Sequence, residues 1–363
     1  MGRCLGNDFV SWCLSAKILI MNFTAQNKNY MLEAVSLAEK AWGMTSPNPL
    51  VGAVVVGQGE IVGRGYHHKA GEPHAEVNAL RDAGDAAVGA DIYVTLEPCS
   101  TYGRTPPCTE AIIKAGIKRV FIGSLDPNPS HAGKGVEILR QAGIETFYGL
   151  ERETCDELNE AFFKWITTGM PYVILKMAMT LDGKIATASG QSKWITGAEA
   201  RNHVQKLRKW CDAIMVGGET VRQDNPSLTV REEPEWSRQP LKLIASRSIS
   251  EVQLRQYFPG DETARTVSAS SPDEWLKLLK ILGAEQIMAL LIEGGGELAA
   301  SALNAGIVDK VEFHIAPKIL GGRNSRPVVG GANPEALSEA LNLEDVHYEM
   351  AGKDLIISGK PLA

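Results

Sequence analysis

His74 and Glu76 in "PHAEVNAL" precede two cysteines with eight residues between them, Cys99 and Cys108 in "EPCSTYGRTPPC". One imidazole and two thiolates are soft-to-borderline donors, a set that suits Zn2+ with one coordination position left for water. A closed structural site needs a fourth protein ligand, and none stands at fixed short spacing. On a helix, positions two apart point to different sides, so Glu76 reads as a proton carrier beside the ion rather than a ligand. Cys108 follows two prolines and opens a helical pattern, where the N-terminal dipole favours a thiolate. His-x-Glu followed by Pro-Cys and a second Cys is the signature of zinc deaminases, whose ion activates water while the glutamate moves protons. The usual cysteine spacing there is two residues, and here it is eight. A solvated helix start and two buried thiols are the plain alternative.

A second constellation lies in "LLIEGGGELAASAL", where an apolar strand ends in Glu293, runs through Gly294-Gly295-Gly296 and enters a helix. Consecutive glycines let backbone approach a pyrophosphate, and the helix N-terminus offers free N–H groups. A tight turn accounts for the same residues. Ser246-Arg247 directly follows the strand "LKLIA" and is a candidate acceptor for the 2′-phosphate of NADP; an exposed loop arginine is the alternative.

The elements that must hold these groups alternate. Helical periodicity over 27–43 is followed by a hairpin, 50–56 and 60–66, around a Gly-Gln-Gly turn. Helix 74–83, strand 91–96, a helix from Cys108, strand 119–123, helix 134–142 and strand 144–149 complete an α/β sandwich. Residues 151–168 read as one connecting helix. A second alternation follows, with strands at 172–179, 212–217, 241–245, 287–292 and 308–315, helices at 197–209, 272–282 and 296–305, and closing strands at 345–350 and 354–358. The expected division is 1–21 as an extension outside the core fold, 22–168 as the zinc domain and 169–363 as the glycine-rich domain. The short apolar run within 1–21 lacks a clean cleavage site; a weak signal peptide is the second reading.

With 363 residues, two domains are the natural count. A net charge of −6 and no evident basic stripe argue against nucleic acid and anionic membrane as partners. Six scattered cysteines form no disulfide framework, which points to a reducing, cytoplasmic setting. The rivals are a nucleic-acid-editing deaminase with an RNA-binding tail and a zinc-stabilised scaffold without turnover.

"TSPNPLVGAVVV", "GYHHKAGEPHAE", "LEPCSTYGRTPPCTEAI" and "DPNP" resemble the deaminase half of the bifunctional riboflavin-biosynthesis deaminase-reductases, whose cysteine spacing is the same. "KMAMTLDGKIATASGQSKWITG", "VGGETVRQDNPSLTVR" and "IEGGGELAASAL" resemble the family's reductase half, so the likeness spans residues 27–363. It implies a cytidine-deaminase-like α/β/α sandwich followed by a dihydrofolate-reductase-like α/β domain. It also implies Zn2+ and NADPH as cofactors and a small phosphorylated pyrimidine as substrate. By resemblance, His74, Cys99 and Cys108 hold zinc, Glu76 is catalytic, and Asn48, His67, Asp126 and Asn128 hold the pyrimidine and its ribose phosphate. Ala178, Trp194, Thr220, Asp224, Ser246 and the run Gly295, Gly296, Glu297, Leu298, Ala299, Ala300, Ser301 would contact NADPH. Ser192, Arg208, Leu228, Arg231 and Glu293 would contact substrate. Thr101 stands where the family has histidine, which removes one expected substrate contact. A homo-oligomer is left open.

Overall fold

The computed structural model describes residues 23–102, 106–128, 131–231 and 236–362; the extension 1–21, Arg104 and the last proline of "DPNP" lie outside them. The first half runs α1 (Ala25–Glu39), β1 (Gly52–Gly57), β2 (Glu60–Tyr66), α2 (Ala75–Ala83), β3 (Asp91–Leu96), α3 (Cys108–Lys114), β4 (Arg119–Ser124), α4 (Lys134–Gln141), β5 (Glu145–Tyr148) and α5 (Arg152–Leu158). Its strands lie in the order β2-β1-β3-β4-β5, antiparallel across the first three and parallel across the last three. Helices α2, α3 and α4 cover one face through Ala79, Ile112 and Leu139, while α1 and α5 cover the other through Met31 and Cys155. With both faces covered, β3 is buried along its whole length, which explains its unbroken "DIYVTL". Two glycines of β2 set the seat of α2. A Cβ at Gly63 or Gly65 would fall 2.3 Å from backbone atoms of Ala79, so only glycine lets the helix close onto that strand.

The connecting segment is two helices rather than one. It breaks at Asn159, whose side chain both accepts from Leu50 N–H and donates to Leu50 C=O at 2.8 Å. That pairing rotates the chain, and α6 (Glu160–Thr168) leaves the first sheet. Its Ala161, Phe162 and Trp165 pack with Tyr172 and Ile174 of the next strand, and Trp165 Nε1 donates to Gly283 C=O.

The second half continues with β6 (Tyr172–Thr180), β7 (Lys184–Ala186), α7 (Ala198–Trp210), β8 (Ala213–Gly217), α8 (Gly218–Asp224), β9 (Leu241–Ala245), α9 (Glu251–Tyr257) and β10 (Arg265–Val267). It ends with α10 (Pro272–Ala284), β11 (Ala289–Glu293), α11 (Gly296–Asn304), β12 (Lys310–Ala316), β13 (Arg326–Pro327), β14 (Leu343–Ala351) and β15 (Asp354–Pro361). Eight strands form one sheet, β10-β9-β8-β11-β6-β12-β15-β14, parallel from β10 to β12 and antiparallel beyond; β7 and β13 make a small separate ribbon. α10 and α11 pack one face around Trp275 and Leu298, and α6, α8 and α9 pack the other around Ile214 and Leu254. The sequence reading lacked β7, α8, α9, β10 and β13, all of seven residues or fewer and too short for periodicity to declare.

The halves meet where Trp42 stacks on Trp210, Ser46 Oγ donates to Asp212, and Arg238 donates to Gly43 C=O. Asp212 also accepts from the N–H groups of Met288 and Ala289, so one buried carboxylate ties this contact to the second sheet.

Candidate active sites

His74 is the extended residue that starts α2, Cys108 is the first residue of α3, and Cys99 lies in the loop after β3. Two helix starts and one strand end therefore converge. His74 Nδ1 is 3.2 Å from Cys108 Sγ and 3.5 Å from Cys99 Sγ. A tetrahedral zinc with Zn–N of about 2.0 Å and Zn–S of about 2.3 Å has an N–S edge of about 3.5 Å, so the donors already stand at zinc spacing. The Cys108 N–H donates to Cys99 Sγ at 3.2 Å. A hydrogen bond from the Cys108 thiol, aided by His74, pulls Cys99 well below the ordinary thiol range, the direction that metal ligation requires. Glu76 is 3% exposed beside these ligands. Burial, reinforced by the Cys99 charge, pushes its carboxyl up to about 7, a value suited to taking and returning a proton near neutrality.

Asn48 and His67 come together: Asn48 Nδ2 lies 3.0 Å from His67 Nε2, and His67 Nδ1 lies 3.2 Å from Pro73 C=O. Since Pro73 C=O can only accept, Nδ1 carries the proton and Nε2 accepts from the amide. The His67 ring meets His74 edge to face at 5.3 Å, which places the pair against the metal ligands. Asp126 and Asn128 lie on the loop after β4, where the Asp126 carboxylate accepts the Asn128 N–H at 2.9 Å. Burial raises Asp126 above the usual carboxylate range. Thr101 is exposed.

Glu97 was not anticipated. Its carboxylate is 6% exposed and accepts four backbone N–H groups, from Asp126, Gly133, Gly135 and Val136, at 2.9–3.3 Å. It thus caps α4 from another segment, and the same carboxylate anchors the start of the Asp126 loop two residues before Cys99. The sequence shows only a glutamate before Pro-Cys; its partners lie about thirty or more residues away, beyond any local signal.

In the second half, the carboxyl ends of β8, β9, β10, β11 and β6 open onto a cavity of about 1140 Å³. Ligands of open α/β sheets bind at such strand ends. Ala178, Trp194, Thr220, Asp224, Ser246, Gly295, Gly296, Glu297, Leu298 and Ser301 line it, as do Ser192, Arg208, Leu228, Arg231 and Glu293. The cavity does not reach Ala299 or Ala300. Ala299 is in the core with its N–H bonded to Gly295 C=O, and Ala300 is 4% exposed. Gly294 and Gly295 have φ of +92° and +91°, which only glycine adopts without strain. They deliver the chain to the first turn of α11, where Gly296, Glu297 and Leu298 line the cavity.

Arg208, expected at substrate, is already paired within the protein. Its Nε and Nη2 hold both oxygens of Glu293 at 2.7 and 2.6 Å, and Nη1 donates to Thr229 C=O. Among the described residues the Arg231 guanidinium makes one hydrogen bond, Nη1 to Ser227 Oγ. Ser192 Oγ donates to Asp224 at 2.6 Å, joining a residue expected at substrate to one expected at cofactor. Arg247 donates to Ser268, Ser270 and Glu274, which puts two hydroxyls and a carboxylate around one guanidinium, while Ser246 Oγ accepts from the N–H groups of Ser248 and Ile249. Lys176, Arg201 and Arg326 line the cavity and were missed. Lys176 had a readable signal, the lone charge inside "YVILKMAM". Among the described residues no helix is long and apolar enough to cross a membrane.

Comparison with known proteins gives a consistent picture. Residues 24–124 match the family described as cytidine and deoxycytidylate deaminase zinc-binding region, and residues 171–357 match the RibD C-terminal domain. Riboflavin biosynthesis protein RibD of Aquifex aeolicus is 47% identical over 351 residues, covering 91% of this chain and 97% of that protein. The corresponding protein of Actinobacillus pleuropneumoniae is 44% identical over 359 residues, covering 92% and 95%. The solved structure of Acinetobacter baumannii RibD superposes with a TM-score of 0.84 at 38% identity, covering 93% of this chain and 99% of that one. A Thermotoga maritima structure described as a diaminohydroxyphosphoribosylaminopyrimidine deaminase/5-amino-6-(5-phosphoribosylamino)uracil reductase has a TM-score of 0.81 at 35% identity, with the same coverage.

Proposed function

We propose, since this chain belongs to the RibD family of bifunctional riboflavin-biosynthesis deaminase-reductases, that its centres act in order on one phosphorylated pyrimidine. The first would hydrolytically deaminate 2,5-diamino-6-hydroxy-4-(5-phosphoribosylamino)pyrimidine. The second would reduce the ribosyl group of the product to ribityl. The observation that carries this reading is the convergence of His74, Cys99 and Cys108 beside a buried Glu76 whose carboxyl sits at about 7.

His74, Cys99 and Cys108 would hold zinc, which would supply Lewis acidity to the attacking water. Glu76 takes a proton from that water and returns it to the departing amine; the ring carbon gains oxygen and loses ammonia. Asn48, held by His67, would fix the pyrimidine edge, and Asp126 with Asn128 the ribose phosphate.

In the second centre NADPH supplies the hydride. The Gly294–Gly296 turn and the α11 N-terminus would cradle its pyrophosphate, with Ser246, Arg247, Ser268 and Ser270 at the 2′-phosphate. Thr220 and Asp224 would hold the same molecule, with Ala178 and Trp194 beside it. Arg231 has more free guanidinium donors than Arg208, so it takes the leading role toward the substrate phosphate. Arg208, locked to Glu293, sets the shape of the wall, and Ser192 and Leu228 complete the pocket. The acting form would reside in the cytoplasm, where Cys99 and Cys108 stay reduced; homo-oligomerisation is part of the proposal.

The test is purified protein with the diamino substrate, with and without NADPH, following ammonia and NADPH absorbance separately. Ammonia in both reactions and NADPH oxidation only after deamination is the expected result. NADPH oxidation without ammonia release would reverse the order, and steep salt-dependent tRNA binding without NADPH turnover would favour an editing enzyme.

A further inference from the structure

On the face of the second sheet that α7 covers, a group of ionisable side chains adjoins the second centre, and three of them, His203, Glu312 and His314, lie outside its lining. Strand register places Glu293 of β11 and Glu312 of β12 on either side of Lys176 of β6, and His314 opposite Ala178. α7 crosses above them, with Arg208 bound to Glu293 near its end and His203 over Glu312 further back. His203 Nε2 lies 3.1 Å from Glu312 Oε1, and His314 Nε2 lies 2.6 Å from the same oxygen. The two rings meet edge to face at 5.4 Å. His314 is fully buried, Glu312 nearly so, and His203 is partly accessible.

Two imidazole nitrogens, one from the helix and one from the strand, thus converge on a single carboxylate oxygen.

We propose that His203, Glu312 and His314 are the ligands of a second zinc site, distinct from the cysteine site. Two imidazoles and a carboxylate are borderline nitrogen and oxygen donors of the class zinc prefers. Their ligand atoms all lie within 4.8 Å of one another. A tetrahedral N–O edge is about 3.3 Å, so His203 and His314 open outward by less than about an ångström to admit the ion. The nearby charges are Lys176 on β6 and Lys206 on α7, and Glu349 on β14 opposes them from the side of His203. The ion clasps α7 to β12. Because α7 also delivers Gln205 and Arg208 to the reductase cavity, the clasp fixes one wall of that cavity.

The test is metal stoichiometry of the full chain, stripped with chelator and titrated with Zn2+, then with Co2+ as a spectroscopic probe. The native chain should bind two equivalents. His203→Gln, which keeps a hydrogen-bond donor for Glu312, and His203→Ala should each bind one, retaining the thiolate-to-cobalt absorption of the cysteine site. The double variant Cys99→Ser/Cys108→Ser should lose that absorption and retain one equivalent. One equivalent in the native chain, or two in a folded His203→Gln chain, overturns the assignment.

Discussion

Glu97→Gln tests whether one buried carboxylate organises the substrate loop. Each oxygen accepts two backbone N–H groups: Oε1 those of Gly135 and Val136, Oε2 those of Asp126 and Gly133. Glutamine keeps the length but replaces one oxygen with a donor, so two N–H groups would face an NH2 group. At about 1–3 kcal/mol for each buried donor left unsatisfied, the cost is about 2–6 kcal/mol. For a folding unit of about 150–250 residues, about 3 kcal/mol lowers a melting temperature by about 6–12 °C. Rotating the side chain cannot escape the penalty, because both oxygens are engaged, and Gly135 packs directly on this side chain and Pro98. Calorimetry, zinc content and ammonia-release kinetics on one preparation separate the effects. We expect a lower first transition, an unchanged cysteine-site zinc and a KM for the diamino substrate raised more than kcat is lowered. A melting temperature within about 2 °C of the native chain together with an unchanged KM would refute the reasoning.

Four further outcomes follow from the structure. Glu76→Gln should cut ammonia release by about 10²–10⁴-fold while zinc binding and NADPH oxidation on deaminated substrate persist; loss of the metal would show the residue to be misassigned. Arg231→Ala should raise KM for the phosphorylated substrate about tenfold or more and leave NADPH affinity alone, and equal weakening of both would remove its assigned role. Gly283→Ala would set a methyl 1.8 Å from Gly169 C=O, and thermal denaturation should show the second half weakened by about 1–3 kcal/mol. The Thr180 hydroxyl and the N–H groups of Leu320 and Gly321 hold the Asp182 carboxyl at about 2. Its stabilisation is therefore complete above the unfolded value of about 3.9 and is lost as pH falls from there through about 2. Asp182→Asn should flatten acid unfolding in that window, and an unchanged acid limb would contradict the sign.

What could be read in advance was what short stretches encode. His74, Glu76, Cys99 and Cys108 carry a spacing and a chemistry in two motifs, and the glycine run before α11 announces a turn without reference to anything distant. The alternation of strands and helices was visible for the same reason. The role of Arg208 was not, because its fork is filled by Glu293, eighty-five residues away, and no local pattern encodes that pairing. Glu97 and the break at Asn159 failed for the same reason, since each side chain answers backbone groups of a remote segment. Ala299 and Ala300 came with the run Gly295–Ser301 that the family resemblance implied; in the structure they lie off the cavity, because only the first turn of a helix has N–H groups to offer a ligand.

Asn159 also bears on anyone wishing to obtain either activity alone by dividing the gene. A cut at the start of β6 leaves α6 on the first fragment and strips Ala161, Phe162 and Trp165 from the sheet they cover. A cut before Asn159 keeps that helix in place but takes from Leu50 the partner of both its N–H and its C=O. Neither severed product is simply half of the parent. A single activity is therefore better obtained from this chain by silencing one centre than by cutting between them.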